Sequence, residues 1–180
     1  DWVEKLVIIN APHPAIFARE LLHNPEQQAA SQYMLFFRSP EAEQVLSNNN
    51  HAGLLNILIR FGSQWDMDDV TRQKYVEAWS QPGALTGGLN YYRASPLYPP
   101  TSPEDEEKIN SILDLPHEML AVKARTLVIW GDQDRALLTG NLDGLERYVE
   151  NLTVHRIPNG SHWIIHEQPE RVNTLIRSFL

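Results

Sequence analysis

The stretch "RTLVIWGDQD" (125–134) decides how this sequence folds. Its first seven residues are almost continuously apolar, as is typical of a strand that is covered on both faces in a parallel sheet. The run ends in an acidic turn that contains a glycine. Two similar runs, "KLVIIN" (5–10) and "LTVHRI" (152–157), lie far upstream and just downstream. Together the three runs predict parallel strands of one α/β layer.

Two helical patterns accompany the second and third runs. Residues 138–151 have a helix-like pattern despite two glycines, and residues 166–180 place their apolar side chains at helical spacing. A succession of strand, helix, strand and helix at this spacing favours a parallel sheet over a meander. The sequence therefore predicts an α/β fold.

The middle third of the chain has a different pattern. It contains helical patterns and loops but no convincing strand, and its helices are predicted at 24–37, 51–62, 66–80 and 87–95. A Pro-rich and then acidic segment, 95–108, is interpreted as a return connection. Such an insertion is too long for a plain crossover between strands. We therefore expect residues 1–14 and 121–180 to form the sheet-containing core, and residues 15–120 to form a helical lid with its return linker.

The composition narrows the class of protein. The chain has 180 residues, 42% of them hydrophobic and 21% charged, which is ordinary for a globular protein. A net charge of −8 argues against a nucleic-acid partner, and no run approaches the roughly 18 apolar residues of a membrane span. The absence of cysteine excludes a disulfide framework and a Cys nucleophile, and is compatible with a cytoplasmic location.

An acidic residue and a histidine follow the predicted strands. Asp134 comes after the second strand and His162 after the third, and the carboxyl ends of parallel strands are where sites form. In one triad layout the chain order is nucleophile, acid, histidine. The chain contains no G-x-S-x-G elbow, and it starts at Asp1 almost directly in an apolar run. We therefore expect a nucleophile upstream of residue 1, on a longer protein.

Other interpretations of these residues stay open at this point. The acidic turn could be only a polar turn, because Asp favours turns, and Asp132 competes with Asp134 for the role of the acid. His162 and His166 are four residues apart, as in some metal-binding pairs. No Glu follows His162 directly, however, and no third ligand is evident. Asp134 is preferred as the acid, and no metal is expected.

Three segments carry a resemblance to a known family. "EKLVIINAPHP" (4–14), "LVIWGDQD" (127–134) and "IPNGSHWIIHEQPERVNTLIRSFL" (157–180) resemble the C-terminal half of an α/β-hydrolase. The similarity is closest to the epoxide hydrolase branch, whose relatives are the haloalkane and fluoroacetate dehalogenases. It implies the C-terminal part of an α/β-hydrolase parallel sheet with an inserted all-helical lid. The missing N-terminal half of that core would be the partner of this chain, and "KLVIIN" would lie at a sheet edge where another strand is expected.

The resemblance extends to aromatic residues of the lid. "QYMLFF" (32–37) resembles the context of the first of two lid tyrosines, which points to Tyr33, and "NYYR" (90–93) resembles the second, which points to Tyr92. In the family these tyrosines hydrogen-bond the epoxide oxygen. Phe37 and Trp163 match positions that resemble an apolar pocket wall, although ordinary packing of core aromatics explains them equally well.

A mechanism without metal or organic cofactor follows from the resemblance. An upstream Asp would attack a small hydrophobic epoxide and form an alkyl-enzyme ester, while Tyr33 and Tyr92 stabilise the oxyanion. His162 would activate the water that cleaves the ester, and Asp134 would orient the imidazole. One alternative is dehalogenation of haloalkanes or halo-acids by the same machinery. Another is a non-catalytic binding protein on the same fold, because a fold does not fix a function.

Overall fold

The centre of the fold is a three-stranded parallel sheet. The computed structural model describes residues 2–62 and 67–180, where the strands are β1 (Lys5–Ile9), β2 (Arg125–Gly131) and β3 (Leu152–Ile157). Their spatial order is β1-β2-β3, and all pairings are parallel. Val128 pairs with Ile8 on one side and with Val154 on the other. The three predicted strands are therefore confirmed, and β1 lies at the edge as expected.

Helices account for most of the remaining described residues. They are α1 (Pro14–His23), α2 (Pro25–Ala30), α3 (Tyr33–Arg38), α4 (Ala42–Phe61), α5 (Asp69–Trp79), α6 (Ala84–Ala94), α7 (Pro103–Leu113), α8 (His117–Leu120), α9 (Ile164–Glu167) and α10 (Pro169–Phe179). The helix predicted at 24–37 is two short helices, and α4 is kinked at residues 48–51. Asp66, the first residue of the helix predicted at 66–80, lies outside the described residues, as does Asp1.

The prediction of a helix at 138–151 is wrong. This segment forms two short 3-10 turns, Thr139–Leu142 and Leu145–Arg147. Gly144 has a φ of 80°, in the left-handed region that ends a helix. The guanidinium of Arg19 also donates to the carbonyl oxygens of Gly140 and Asp143. These carbonyl groups are therefore satisfied from α1 without a regular helix.

The return connection predicted at 95–108 is only partly a loop, because helix α7 begins at Pro103. Ser102 caps this helix by accepting a hydrogen bond from the backbone N–H of Asp105. Proline at the first position and three acidic residues in the first turn suit a helix N-terminus. The acidic part of the pattern is therefore the first turn of a helix.

Strand β2 is buried on both faces, as its apolar run predicts. Leu127 and Ile129 pack on one face against a cluster that includes Ile157, Ile164, Val172 and Phe179. Val128 and Trp130 pack on the other face against a cluster that includes Ile16, Phe17, Leu21 and Leu145. Burying one such side chain stabilises a fold by roughly 1.5–3 kcal/mol. The sheet centre therefore fixes the loop that follows β2.

The helical middle third has a cluster of its own. Phe37, Ala42, Leu46 and Leu89 are its buried members, and Tyr33 and Tyr92 pack against them. No strand occurs between residues 15 and 120 in the described part of the chain. The division of the chain into a core and a lid stays a prediction. Across residues 2–62 and 67–180, no helix combines the length and hydropathy needed to cross a membrane.

Candidate active site

The loops after β2 and β3 bring an acid and a histidine together. The Nδ1 atom of His162 lies 2.8 Å from Oδ2 of Asp134. Because a carboxylate only accepts hydrogen bonds, Nδ1 is the donor. Asp134 is 5% exposed, and the side chain of His162 is 23% exposed. A buried acid thus orients a histidine whose opposite ring nitrogen, Nε2, is directed away from that acid.

Four hydrogen bonds from residues that the structure describes hold the Asp134 carboxylate in place. Its Oδ1 atom accepts from the backbone N–H groups of Ala136 (2.8 Å) and Leu137 (2.9 Å). Its Oδ2 atom accepts from Nδ2 of Asn10 at 2.6 Å, in addition to His162. The competing Asp132 instead forms an ion pair with Arg156, with Nε and Oδ1 separated by 2.8 Å. Asp134, and not Asp132, is therefore the carboxylate next to the imidazole.

Two glycines let the acid loop and the histidine loop approach each other closely. A Cβ atom on Gly131 would collide with the carbonyl group of Gly160, and the backbone N–H of Gln133 donates to that carbonyl oxygen at 2.8 Å. Directly after Gly160, the backbone N–H and the hydroxyl of Ser161 donate hydrogen bonds to the carboxylate of Glu167, at 2.8 and 2.6 Å. The residue before His162 is thereby fixed.

The acid loop is also fastened to the helical region by Gln27 of α2. This side chain is fully buried, and its Oε1 accepts from the backbone N–H of Leu138 (2.9 Å) and from Nδ2 of Asn141 (2.8 Å). Its Nε2 donates to the carbonyl oxygen of Ala136 at 2.8 Å. Three polar groups of the segment that follows Asp134 are therefore bonded to one side chain from a helix more than a hundred residues upstream.

Both predicted lid tyrosines share a cavity with His162. The cavity has a volume of about 280 Å³ and is lined by Tyr33, Tyr92 and His162 together with Asn10, Ala11, Pro12, Pro14, Phe17, Met34, Tyr91, Ser95, Leu97 and Leu137. The two tyrosine rings lie 6.0 Å apart in an edge-to-face arrangement. Burial raises the pKa of Tyr33 and that of Tyr92 above the ordinary value of a phenol, which already lies well above neutrality, so both phenols are protonated at neutral pH.

The predicted pocket-wall residues Phe37 and Trp163 do not line this cavity. Phe37 packs edge-to-face on Tyr33 and Tyr92, with ring centroids 5.4 and 4.9 Å apart. The Trp163 ring lies 4.8 Å from that of His162, and its Nε1 donates to the carbonyl oxygen of Leu58 at 2.6 Å. Both aromatics are therefore one layer behind the cavity, where they support the residues that face it.

The structure does not gather His162 and His166 into a metal site. The Nε2 atom of His166 lies 3.0 Å from the Tyr75 hydroxyl, and burial lowers the pKa of this histidine. Within residues 2–62 and 67–180, no group of three or more His, Cys, Asp or Glu side chains is close enough to hold a metal ion.

Sequence reasoning missed several residues that shape the site. Asn10, Gln27, Ser161 and Glu167 all contact the acid loop or the histidine loop. For Asn10 a signal was present, because a polar residue at the carboxyl end of an apolar parallel strand points to a site. Gln27 gave no such signal, because it lies in an ordinary polar helix and its partners are distant in sequence.

The chain is similar in sequence to curated proteins named as an epoxide hydrolase and as an AB hydrolase superfamily protein. No family model matches the sequence. Over 191 residues the chain is 34% identical to Epoxide hydrolase 4 of Mus musculus, covering 100% of this chain and 48% of that protein. It is 32% identical to AB hydrolase superfamily protein YfhM of Bacillus subtilis, covering 100% of this chain and 58% of that protein.

Solved structures agree with the sequence comparisons. The crystal structure of a Bacillus megaterium epoxide hydrolase in complex with an inhibitor superimposes with a TM-score of 0.82 and 32% identity. The match covers 99% of this chain and 61% of that one. The chain spans about half the length of the curated relatives it matches, a share that agrees with the resemblance to a C-terminal portion. The α/β fold expected from the sequence is confirmed.

Proposed function

This chain belongs to the α/β-hydrolase superfamily and resembles the C-terminal portion of its epoxide hydrolase branch, and from that premise we propose that the whole protein hydrolyses epoxides to diols. The observation that carries the proposal is the shared cavity of Tyr33, Tyr92 and His162, with Asp134 hydrogen-bonded behind the imidazole. An epoxide needs an acid at its oxygen and a base for water. This cavity offers both.

The first step of the proposed reaction opens the epoxide. A carboxylate from the upstream half of the core attacks one epoxide carbon, so that a C–O ester bond forms while the ring C–O bond breaks. The electron pair of that bond stays on the epoxide oxygen. The phenol O–H groups of Tyr33 and Tyr92 both donate hydrogen bonds to this developing alkoxide, and one of them transfers its proton to it and becomes a phenolate. Both phenols enter this step protonated, because burial raises their pKa values further above neutrality.

The second step cleaves the ester. His162 Nε2 removes a proton from water, and the resulting hydroxide attacks the ester carbonyl, which releases the diol and restores the carboxylate. Asp134 accepts the hydrogen bond of Nδ1–H and stabilises the imidazolium that forms. The imidazolium proton of His162 then passes to the phenolate that the first step left behind.

The substrate in this proposal is a small hydrophobic epoxide, and the cysteine-free composition is compatible with a cytoplasmic location.

A substitution of His162 in the full-length protein tests the proposal. With styrene oxide as the substrate, His162→Ala should form one equivalent of covalent adduct and then stop, because ring opening does not need the base. Intact-protein mass spectrometry would detect an increase equal to the mass of the epoxide. His155→Ala is the matched control, because His155 lies exposed on β3, away from the cavity. This control should turn over like the wild type.

Three other outcomes would redirect the proposal. Undiminished multiple turnover by His162→Ala would remove His162 from the mechanism. Halide release from small haloalkanes or halo-acids, without diol formation from any epoxide tested, would assign the site to dehalogenation. Failure of the wild-type protein to turn over either class would favour a binding protein on this fold.

A further inference from the structure

Asn10 lies at the point where the edge strand meets the site. It follows β1 directly, is 5% exposed, and its backbone N–H donates to the carbonyl oxygen of Ile129 at 3.1 Å. Its φ of 44° is in the left-handed region, which Asn, Asp and Gly adopt most readily. The chain therefore turns out of the sheet here while the side chain stays inside the molecule.

The orientation of the Asn10 amide follows from its partners. Its Oδ1 accepts from the backbone N–H of Gly131 at 3.0 Å, and this group can only donate. Its Nδ2 donates to Oδ2 of Asp134 at 2.6 Å and to the carbonyl oxygen of Ser161 at 3.3 Å. A flipped amide would set donor against donor and acceptor against acceptors. One side chain thus joins the ends of β1 and β2, the acid, and the residue before His162.

We propose that Asn10 is a positioning residue that fixes the Asp134 carboxylate for His162. The Oδ1 atom of Asp134 is held by backbone N–H groups of its own loop, but that contact leaves the carboxylate free to tilt about Oδ1. Asn10 holds the second oxygen, Oδ2, which is also the oxygen that His162 uses. With both oxygens held, the carboxylate plane stays directed at Nδ1 through the whole cycle.

The chemistry of the position selects asparagine. Glycine suits the left-handed backbone but offers no donor to Oδ2. Aspartate suits the backbone and the space, but its carboxylate would face that of Asp134 at hydrogen-bond distance, and two like charges there cannot both stay ionised. Among the residues that favour this backbone, asparagine is therefore the one that supplies both an acceptor for Gly131 and a donor for Asp134.

The test uses Asn10→Gly in the full-length protein with ¹⁵N-labelled histidine. In the wild type, neutral His162 should carry its proton on Nδ1, and this proton should exchange slowly with water. In Asn10→Gly the two tautomers should mix and the Nδ1 proton signal should be lost by exchange. Turnover of epoxide, which rests on the proposed function, should fall roughly 10- to 100-fold in kcat with KM little changed. Asn10→Asp should lose turnover as well, and it gives the same test if the glycine variant does not fold.

Asn49→Gly is the matched control. Asn49 has the same left-handed backbone, with a φ of 49°, and is exposed in the kink of α4, away from the cavity. This control should keep the His162 tautomer and kcat of the wild type. If Asn10→Gly also keeps both, Asn10 is a structural residue only and the proposal is overturned. Because the tautomer is measured without substrate, a protein that is inactive on epoxides would overturn the proposed function while this result still decides the role of Asn10.

Discussion

The two sides of the cavity are constructed in different ways. On the strand-end side, Asp134 and His162 are held by short, directional hydrogen bonds between polar groups. On the helix side, Tyr33 and Tyr92 are held mainly by ring packing, with Phe37 behind both of them. Hydrogen bonds fix the direction of a group, whereas packing fixes its position by filling space. The strand-end side is thus held by the direction of its hydrogen bonds, and the helix side by the shape of its packing.

This difference predicts how substitutions should act on each side. On the strand-end side, an isosteric change that preserves volume still removes directional bonds, so the rate should suffer more than stability. On the helix side, removing a hydroxyl leaves the packing intact, so the loss should be limited to one donor.

The largest effect is expected for Asp134→Asn in the full-length protein. The change conserves shape but puts an amide against Nδ1 of His162, which favours the wrong tautomer of the imidazole. Hydrolytic turnover should fall by about 10⁴-fold, as for the equivalent change in a serine protease triad. Steady-state diol formation measures it, with Asp132→Asn as the matched control because Asp132 pairs with Arg156 near the surface.

A mild defect in Asp134→Asn would break the contrast. If both Asp variants lost less than about tenfold, the hydrogen bonds on the strand-end side would matter for stability only. If Asp132→Asn lost more than Asp134→Asn, the acid would be misassigned.

The strand-end side was largely predictable from the sequence, because the features of that side are local. Strand β2 has an apolar run that is buried on both faces, and Asp134 and His162 each follow a strand. The sequence favoured Asp134 over Asp132, but the choice depends on which side chain turns inward, and that is visible only in the structure. Asn10 also follows a strand, but its role was missed because the partners of its side chain lie more than a hundred residues away.

The helix side was less predictable, because its elements depend on contacts between distant segments. The glycines at 140 and 144 made 138–151 only weakly helical, and Arg19 from α1 satisfies the carbonyl groups of the 3-10 turns that form instead. Phe37 was expected on the cavity wall but lies behind the tyrosines. The sequence alone does not show which of several neighbouring aromatic rings faces the cavity. The positions of Tyr33 and Tyr92 came from the family resemblance and not from periodicity.

A smaller effect is expected for Tyr33→Phe and Tyr92→Phe. Each change removes one donor to the developing oxyanion, so ring opening should slow by roughly 10²- to 10³-fold, with a greater loss in the double variant. Ester hydrolysis should be unaffected, and single-turnover kinetics with mass detection of the adduct separates the two steps. Tyr148→Phe is the matched control, because Tyr148 stacks on His13 outside the cavity.

A changed rate of the second step in Tyr33→Phe would contradict this division of labour between the two sides. Such a result would mean that the tyrosine also positions the hydrolytic water. The two sides would then differ in the contacts that hold their residues but not in the reaction step that each side serves.

The smallest effect concerns charge on the helix side, which lies near the surface. Arg93, the residue after Tyr92, donates two hydrogen bonds of 2.6 Å to Glu43 of α4. The hydrogen bonds from Arg93 lower the pKa of Glu43 from 4.5 to about 2. Since the folded-state pKa is the lower one, the ionised pair stabilises the fold above about pH 4.5, and this contribution is lost as the pH falls toward 2.

Glu43→Gln should therefore lower Tm at neutral pH, and the difference from the wild type should shrink between pH 4.5 and 2. Salt should reduce the difference at neutral pH, because the pair is only partly buried and is screened. Thermal melts across this pH range measure it, with the exposed Glu150→Gln as the control. Turnover at neutral pH should not change, because packing and not this charge holds Tyr92 in place. A loss of ring-opening rate in Glu43→Gln would show that surface charge, as well as packing, places the tyrosines, and the two sides of the cavity would differ less than their contacts indicate.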